Sequence, residues 1–485
     1  MAKIKFKQVE IQLSQLFEDW AGEKTENIIK IAQSGGDRIY YRLKGKTKSA
    51  IGTYSPDAKE NTAFLTFSKH FYSRGLNVPE VYLVAKEGNM YLQSDLGDTA
   101  LYQLLPAEGK PFSKDLVDLY KKIIRKLTLI QIKGGEDLDY TVCYPRAAFD
   151  RQSMLWDLHY FKNYFLKLAE IPFDEQLLED DFERFITFLL QADCSHFMFR
   201  DFQSRNIMVQ DNEPYFIDYQ GGRKGALQYD LASLLFQAKG NIPHNIREEL
   251  LDHYLDCAEL LVRVNRKEFI HYYYGYVLIR CLQAMGAYGF RGLYERKEHF
   301  IISIPYAIKN IAWLLDNVQI PVEIPELRKC LRLIVASKQF EPFDKTKGAT
   351  SPLVVTVDSF SFKKGIPLDE SGNGGGFVFD CRAIENPGRY EEYKKLTGRD
   401  QPVIDFLKQQ KSMTDFLQNT FALVDSSVEN YIERAFGSLT VHFGCTGGQH
   451  RSVYSADSLA KHLVDKYGVK VNLKHVEQEA KNWIN

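Results

Sequence analysis

Residues 196–230 read HFMFRDFQSRNIMVQDNEPYFIDYQGGRKGALQYD and carry the most informative spacing in the chain. Asp201 and Asn206 stand in the pattern D-x-x-x-x-N, and Asp218 follows at the end of an apolar run. Transfer of a phosphoryl group from ATP needs one carboxylate to orient the attacking hydroxyl, and an amide and a second carboxylate to hold Mg²⁺ on the phosphates. The stretch therefore predicts Asp201 as the catalytic residue, Asn206 and Asp218 as metal ligands, and ATP and Mg²⁺ as cofactors.

A simpler interpretation of the same stretch is structural. Asp and Asn often fill turns and cap strand ends, which would account for Asp201, Asn206 and Asp218 without chemistry. The apolar flanks Ile-Met-Val and Tyr-Phe-Ile, and Asp230 placed before an apolar helix, favour the catalytic interpretation, because a motif of several parts in the right order is specific.

Length and composition predict an ordinary globular protein of more than one domain. The chain has 485 residues, 45% of them hydrophobic and 26% charged, and its net charge of -1 argues against bulk electrostatic capture of nucleic acid or membrane. Seven cysteines without a C-x-x-C pair are typical of reduced thiols in a cytoplasm. The beginning MAKIKFKQVEIQL lacks a long apolar segment, so we expect a cytoplasmic protein without secretion signal or membrane span.

The pattern of strands and helices predicts a bilobal first domain over residues 1–336. Short apolar runs form a small sheet lobe at about 8–95, and amphipathic helices, among them 114–132, form a larger lobe at about 96–336. A nucleotide would bind in the cleft between two such lobes. The third strand, 49–54, contains no lysine, although protein kinases carry their phosphate-pairing lysine there; Lys46 and Lys48 lie just before it.

The turn Ser34-Gly35-Gly36-Asp37 lies between the first two strands of the small lobe. Glycine lets backbone amides approach an anion closely, so this hairpin suits a cover over the phosphates, although any surface hairpin has a similar composition.

A second domain follows a polar linker. Residues 337–351 are polar and contain Pro and Gly, and residues 352–485 alternate β-like and helical segments in a small α/β unit. Within it, SLTVHFGCTGGQHRSVY leads a strand into Cys445-Thr446-Gly447-Gly448 and then His450-Arg451. A glycine loop before a helix can bind an anion through its backbone amides, and an arginine can add two parallel hydrogen bonds to the same anion. The same amides would activate Cys445, so cysteine-dependent phosphatase chemistry is an alternative.

The first domain resembles the aminoglycoside phosphotransferase superfamily. R-D-F-x-x-R-N-I-M-V, I-D-Y-Q-G-G and Y-D-L-A-S-L-L carry the likeness, which covers roughly 8–330 and is greatest to AmgK-type kinases of N-acetylmuramate and N-acetylglucosamine. It implies an α+β, bilobal protein-kinase-like fold, Asp201 as catalytic base, Asn206 and Asp218 as metal ligands, and an ATP-covering hairpin that contributes Ser34, Gly35, Gly36, Asp37 and Arg38. Phe199 stands where the family usually has a histidine.

The second domain resembles the C-terminal domain of RapZ, an adaptor that senses glucosamine-6-phosphate. S-F-x-F-K-x-G-I-P, F-D-x-R…N-P and G-C-T-G-G-x-H-R-S-V-Y carry the likeness over 352–476. It implies a small α/β domain, an oligomer formed through this domain, and an amino-sugar-phosphate site; the site residues are Lys364, Asp380, Arg382, Cys445, Thr446, Gly447, Gly448, His450 and Arg451. Lys364 replaces the histidine of that family, and the ending EQEAKNWIN lacks its basic tail, which argues against RNA binding.

Together these patterns predict an ATP-dependent kinase of a sugar hydroxyl joined to an amino-sugar-phosphate-binding regulatory domain. Two alternatives remain at this point. One is a nucleotide-dependent adaptor of the RapZ type without kinase turnover, which the missing strand lysine favours. The other is a phosphatase that uses Cys445.

Overall fold

A computed structural model describes most of the chain and divides it into two compact units, Met1–Thr346 and Lys347–Asn485. The described residues are 2–31, 38–106, 110–295, 297–343, 353–367, 376–433 and 436–479.

The first unit begins with helix α1 and an antiparallel sheet. Helix α1 is Ala2–Ala21. The strands, in the spatial order β1-β2-β3-β5-β4, are β1 Asn27–Lys30, β2 Ile39–Lys44, β3 Ser49–Tyr54, β4 Val81–Val84 and β5 Met90–Gln93. Helix α1 packs against one face of the sheet through Val9, Leu13 and Phe17. Successive side chains of a strand point to opposite faces, so α1 contacts every second residue of β2.

The face of the sheet that points away from α1 is called its inner side. Tyr40 pairs with Thr53 across β2 and β3 and lies on that face. Helix α2, Ala58–Ser73, packs there through Phe64, whose ring stacks on Tyr91 with centroids 5.0 Å apart. The helix begins at a defined residue, since the carboxylate of Asp57 accepts hydrogen bonds from the first exposed amides of the helix.

A large helical lobe follows and contains most of the first unit's core. Its helices are α3 Lys114–Ile132, α4 Arg151–Phe161, α5 Glu175–Leu189, α6 Leu227–Leu235, α7 His244–Glu259, α8 Arg266–Tyr288, α9 Glu298–Ile301, α10 Ile304–Asn317 and α11 Pro325–Ala336. The predicted helix 114–132 is confirmed, with the apolar stripe from Leu116 to Ile130 buried. A π-helical turn, Lys162–Leu166, prolongs α4, and another, Gly289–Tyr294, prolongs α8.

Two short antiparallel ladders lie between α5 and α6 and position the predicted catalytic stretch. Strand β6, His196–Met198, pairs with β9, Arg223–Gly225. Strand β7, Ile207–Gln210, pairs with β8, Glu213–Phe216. The segments 199–206 and 217–222 connect these ladders, so the residues of the motif meet where the two connections approach each other.

The second unit is a parallel sheet with helices. Its strands are β10 Val354–Ser361, β11 Phe377–Asp380, β12 Ser438–Cys445 and β13 Lys470–His475, in the order β11-β12-β10-β13. Its helices are α12 Gln401–Lys408, α13 Lys411–Glu433, α14 Arg451–Tyr467 and α15 Val476–Glu479. All three strand pairs are parallel, so the loop after β12 lies at the carboxyl edge, where open α/β sheets usually bind ligands.

The predicted architecture is therefore confirmed: a unit with a small sheet lobe and a large helical lobe is followed by a separate unit with a parallel sheet. In neither unit do the described residues include a helix with the length and apolar character needed to cross a membrane.

We predict that Leu13→Ala destabilises the small lobe. Leu13 is 0% exposed in the interface between α1 and the sheet, and removal of a buried leucine side chain costs about 2–5 kcal/mol. Urea unfolding followed by circular dichroism measures the change in the free energy of unfolding. Ile11→Ala is the matched control, since Ile11 lies on the same helix but is 63% exposed and its loss should cost less than about 0.5 kcal/mol. Equal losses in the two variants would contradict the packing described for α1.

Candidate functional site

The structure brings Asp201, Asn206 and Asp218 together. The side-chain amide of Asn206 donates to the backbone carbonyl of Asp201 over 2.9 Å and to Oδ2 of Asp218 over 3.1 Å. Asn206 is buried, whereas the side chain of Asp201 is 43% exposed. One carboxylate therefore faces solvent beside an amide and a second carboxylate that touch each other.

Asp218 is held in an unusual backbone conformation. Its φ is +69°, a region that residues other than glycine enter rarely and that concentrates at functional sites. The amide of Gln220 donates to Oδ1 of Asp218 over 2.8 Å, while Asn206 contacts Oδ2. Both carboxylate oxygens are thus oriented by neighbouring amides.

A buried carboxylate, Asp230 of α6, anchors the loop that carries Asp201. Asp230 accepts the backbone N–H of Phe199 over 2.7 Å, that of Arg200 over 3.0 Å, and the amide of Gln131 over 2.9 Å. Burial raises the pKa of Asp230 to about 7, although the hydrogen bonds from the three N–H donors act to lower it. Arg200 has a φ of +82°, so these hydrogen bonds hold the backbone in a strained turn directly before Asp201.

The side chain of Arg200 ties the same loop to α4. Its guanidinium forms two hydrogen bonds with the carboxylate of Asp157, over 2.6 and 2.7 Å, and a third with the hydroxyl of Tyr229 over 2.7 Å. Burial lowers the pKa of Arg200, but the charge and hydrogen bonds of Asp157, together with Tyr229 and Asp201, outweigh burial and raise the pKa above its usual value. Arg200 is therefore a structural cation rather than one that is available to a ligand.

Phe199, where the related family has a histidine, extends an aromatic cluster beneath the loop. Its ring lies edge-on to Phe202 with centroids 5.2 Å apart and to Tyr219 with centroids 5.9 Å apart. Packing thus supports the loop on this side, while Asp230 holds its backbone.

Arg280 of α8 approaches Asp201 from the helical lobe. Its Nη2 lies 3.8 Å from Oδ1 of Asp201, and its Nε donates to the hydroxyl of Ser233 over 2.9 Å. Gln283 accepts a further hydrogen bond from the same guanidinium. A fixed positive charge therefore lies beside the exposed carboxylate, where it is available to a polar acceptor.

Of the predicted ATP-covering residues, Arg38 is described, and Ser34, Gly35, Gly36 and Asp37 lie outside the described residues. Arg38 is 7% exposed, and its Nη2 donates to Asn61 over 3.3 Å and lies 3.5 Å from Oε2 of Glu60. Arg38 therefore faces α2 on the inner side of the sheet.

In the second unit, the loop after β12 wraps around the sulfur of Cys445. The backbone N–H of Gly448 donates to Sγ over 3.2 Å, and the hydroxyl of Ser452 lies 3.1 Å from it. Burial raises the pKa of Cys445, but hydrogen bonds from Ser452 and from backbone amides outweigh burial and lower it below the usual value. Cys445 is 3% exposed, whereas Thr446 and Gly447 are exposed, so the outer face of the loop is open and the thiol is not.

Arg451 and His450 brace this loop from behind. The Nη1 of Arg451 donates to the carbonyls of Arg382 over 3.0 Å and of Ile384 over 2.7 Å, and its buried Nε has no hydrogen-bond partner among the described residues. His450 donates from Nε2 to the carbonyl of Tyr393 over 2.9 Å, and burial lowers its pKa.

The remaining predicted residues form two ion pairs. Lys364 lies 2.7 Å from Oε2 of Glu477, and Asp380 binds the guanidinium of Arg382. Glu477 is 5% exposed and touches the loop, because a Cβ at Gly448 would lie 2.3 Å from its Cγ. Gly448 also has a φ of +66°, so both the close approach of Glu477 and the backbone conformation require glycine there. Oε1 of Glu477 is buried and has no hydrogen-bond partner within the described part of the unit.

Comparisons with known proteins agree with this division of the chain. Residues 28–264 match the family described as "Phosphotransferase enzyme family", and residues 353–479 match the family described as "RapZ C-terminal domain". The first unit therefore contains a domain of the phosphotransferase enzyme family, and the second unit contains a RapZ C-terminal domain.

Individual relatives cover one part of this two-part chain. A "Nucleotide-binding protein" of Acidithiobacillus ferrooxidans is 43% identical over 134 residues, 26% of this chain and 40% of that protein. One of Fervidobacterium nodosum is 37% identical over 196 residues, 39% of this chain and 67% of that protein. The chain spans about two fifths of the length of the first of these relatives. Among solved structures, choline kinase from Cryptosporidium parvum is 12% identical with a TM-score of 0.45, over 67% of this chain and 99% of that chain.

Three contacts within the two sites were not predicted from the sequence: Gln220 with Asp218, Asp157 with Arg200, and Glu477 with Lys364. Gln220 follows Asp218 by two positions, so the predicted metal-ligand motif contained a signal for it. Asp157 and Glu477 lie far in sequence from their partners Arg200 and Lys364, and no local pattern marks them.

We predict that Asp230→Asn destabilises the phosphotransferase unit by about 1–3 kcal/mol, because it replaces an acceptor of buried N–H groups with an amide that is itself a donor. Urea unfolding gives the change in the free energy of unfolding. Asp252→Asn, at an exposed position of α7, is the control and should change it by less than about 0.5 kcal/mol. A stability of Asp230→Asn equal to that of the control would mean that Asp230 does not anchor the loop.

Proposed function

We propose that the first unit transfers a phosphoryl group from ATP to a hydroxyl of a sugar, in particular an amino sugar such as N-acetylmuramate or N-acetylglucosamine. The observation that carries this proposal is the cluster of Asp201, Asn206 and Asp218, which has the two carboxylates and the amide that phosphoryl transfer requires. The amino sugar comes from the likeness to AmgK-type kinases. We assign the activity to the cytoplasm, because all seven cysteines are free thiols.

Asp201 is the proposed catalytic base. Its exposed carboxylate can accept the proton of an incoming hydroxyl, and the guanidinium of Arg280, 3.8 Å away, is placed to contact the acceptor. Asp230 and Arg200 hold the backbone on the amino-terminal side of Asp201, so that the base meets the acceptor without reorganisation.

Asn206 and Asp218 are the proposed ligands of Mg²⁺. They fit this ion, because Mg²⁺ in ATP-dependent enzymes takes one or two protein oxygen ligands and completes its shell with phosphate oxygens and water. Bound Mg²⁺ would supply charge neutralisation on the phosphates. The hairpin residues Ser34, Gly35, Gly36, Asp37 and Arg38 are proposed to cover ATP.

We expect Asp201→Asn to lower turnover of amino sugars by about 100- to 10,000-fold while ATP binding changes little, since the substitution removes the base and leaves the phosphate-side residues in place. ADP release measured over a panel of sugars, with and without glucosamine-6-phosphate, tests this. Asp211→Asn, in the turn between β7 and β8, is the matched control and should keep wild-type turnover.

Unchanged turnover in Asp201→Asn would refute the assignment of the base. Wild-type protein that binds ATP and releases no ADP with any sugar would instead favour a nucleotide-dependent adaptor.

For the second unit we propose a regulatory site for an amino-sugar phosphate. The open face of the loop at Thr446 and Gly447, with Arg451 behind it, supports phosphate recognition. The buried Oε1 of Glu477 is an acceptor suited to an ammonium or hydroxyl group of the same ligand. Lys364, Asp380, Arg382 and His450 are proposed to complete or support this site, and regulation of the kinase is the proposed outcome.

A phosphatase that uses Cys445 is the second candidate, and the lowered pKa of this thiol favours it. Its burial at 3% exposure opposes it, because an attacking sulfur must reach the phosphorus.

We predict that full-length protein binds glucosamine-6-phosphate without hydrolysing it. Arg451→Lys should weaken this binding about 10-fold in calorimetry, since lysine keeps the charge but lacks the planar guanidinium. The control is Arg389→Lys at an exposed position, which should leave the affinity for glucosamine-6-phosphate unchanged. Cys445→Ser should retain binding. Phosphate release by the wild type that disappears in Cys445→Ser would overturn the regulatory assignment in favour of the phosphatase.

A further inference from the structure

Strand β3 of the small lobe lacks the lysine that pairs with the α- and β-phosphates in protein kinases. Its sequence is SAIGTY. Lys48, directly before it, donates from Nζ to the carbonyl of Ala21 over 3.0 Å and lies 5.2 Å from the ring centre of Trp20. Both partners belong to α1, so Lys48 lies on the side of the sheet opposite Tyr40 and α2. The lysine nearest to β3 therefore does not serve the cleft.

A different cation occupies the inner side of the sheet. Arg38 directly precedes β2, and its guanidinium lies 3.5 Å from Glu60 of α2 and 5.3 Å from the ring centre of Phe64. Protein kinases hold their phosphate-pairing lysine with a glutamate of the corresponding helix. In this chain the glutamate is present in the first turn of α2, and its cationic partner is the residue directly before β2 instead of a residue of β3.

A continuous set of polar contacts links this pair to the proposed metal ligands. The amide of Gln220 lies 3.4 Å from Oε1 of Glu60 and donates to Oδ1 of Asp218 over 2.8 Å. Tyr40 lies among the same groups; burial raises its pKa to about 12, Arg38 acts to lower that pKa, and Asp218 and Glu60 raise it further. Arg38 of the small lobe and Asp218 of the large lobe are therefore connected through Glu60 and Gln220.

We propose that Arg38, held by Glu60, grips the α- and β-phosphates of ATP in place of the missing strand lysine. The inference rests on the proposed phosphotransferase activity and names the residue that completes its nucleotide site. Arginine suits a position that is 7% exposed, because a guanidinium stays protonated where a buried lysine would lose its proton readily. Its planar fork also matches two phosphate oxygens.

The test compares the affinities for ADP and for adenosine, since only ADP carries the phosphates. Calorimetry with Mg²⁺ on the full chain should show that Arg38→Met weakens ADP binding about 10- to 100-fold and leaves adenosine binding unchanged. Arg38→Lys should lie between the wild type and Arg38→Met. Lys48→Met is the matched control and should bind ADP as the wild type does.

A second variant covers the case in which Arg38→Met does not fold. Glu60→Gln keeps Arg38 but removes its ionic partner, so ADP binding should weaken by about 3- to 10-fold with adenosine binding unchanged, and the double variant should be no weaker than Arg38→Met alone. Full additivity of the two substitutions would overturn the pairing.

Other outcomes overturn the inference directly. An equal loss of ADP and adenosine affinity would show that Arg38 has a structural role only, and unchanged ADP affinity in Arg38→Met would exclude it from the phosphates. Arg38-dependent ADP binding by a protein that phosphorylates no sugar would refute the proposed sugar kinase and leave the assignment of Arg38 intact.

Discussion

The carboxylate of Asp230 is the constraint on which the first site depends. It is fully buried and accepts two consecutive backbone N–H groups, those of Phe199 and Arg200, at the strained turn before Asp201. Burying a carboxylate is costly unless it is hydrogen-bonded, and leaving buried N–H groups without an acceptor is costly too. The two penalties are avoided together in one backbone arrangement, and that arrangement directs the carboxylate of Asp201 towards solvent.

The two proposed sites are built with different chemistry. In the first, carboxylates and amides gather at 2.8–3.1 Å, an arrangement that suits a metal ion shared with phosphates. In the second, a glycine loop turns its amides around a sulfur, and an arginine is fixed behind it by two carbonyls. The first arrangement leaves the carboxylate of Asp201 exposed, whereas the second buries the thiol of Cys445, which is the physical reason for proposing catalysis in one and recognition in the other.

Much of the fold followed from local patterns. The apolar stripe of α3 and the change from strands to helices near residue 95 were readable because they repeat at helical or strand spacing. A local signal also separates α7 from α8: the side chain of Asn265 accepts the N–H of Glu268 and so begins α8. The positions of Glu60 near Arg38 and of Glu477 near Gly448 needed the folded chain, since no spacing along the sequence relates them.

The sequence by itself determined which groups do the proposed chemistry: the order of Asp201, Asn206 and Asp218, and the glycine loop from Cys445 to Arg451, are local and need only a turn to be formed. The tertiary structure alone decided which charges face which partners. In the folded chain Lys48 contacts α1, Arg38 contacts α2, and Arg200 forms an ion pair with Asp157. Side-chain partners are chosen by the faces that pack together, and packing joins residues that are distant in sequence.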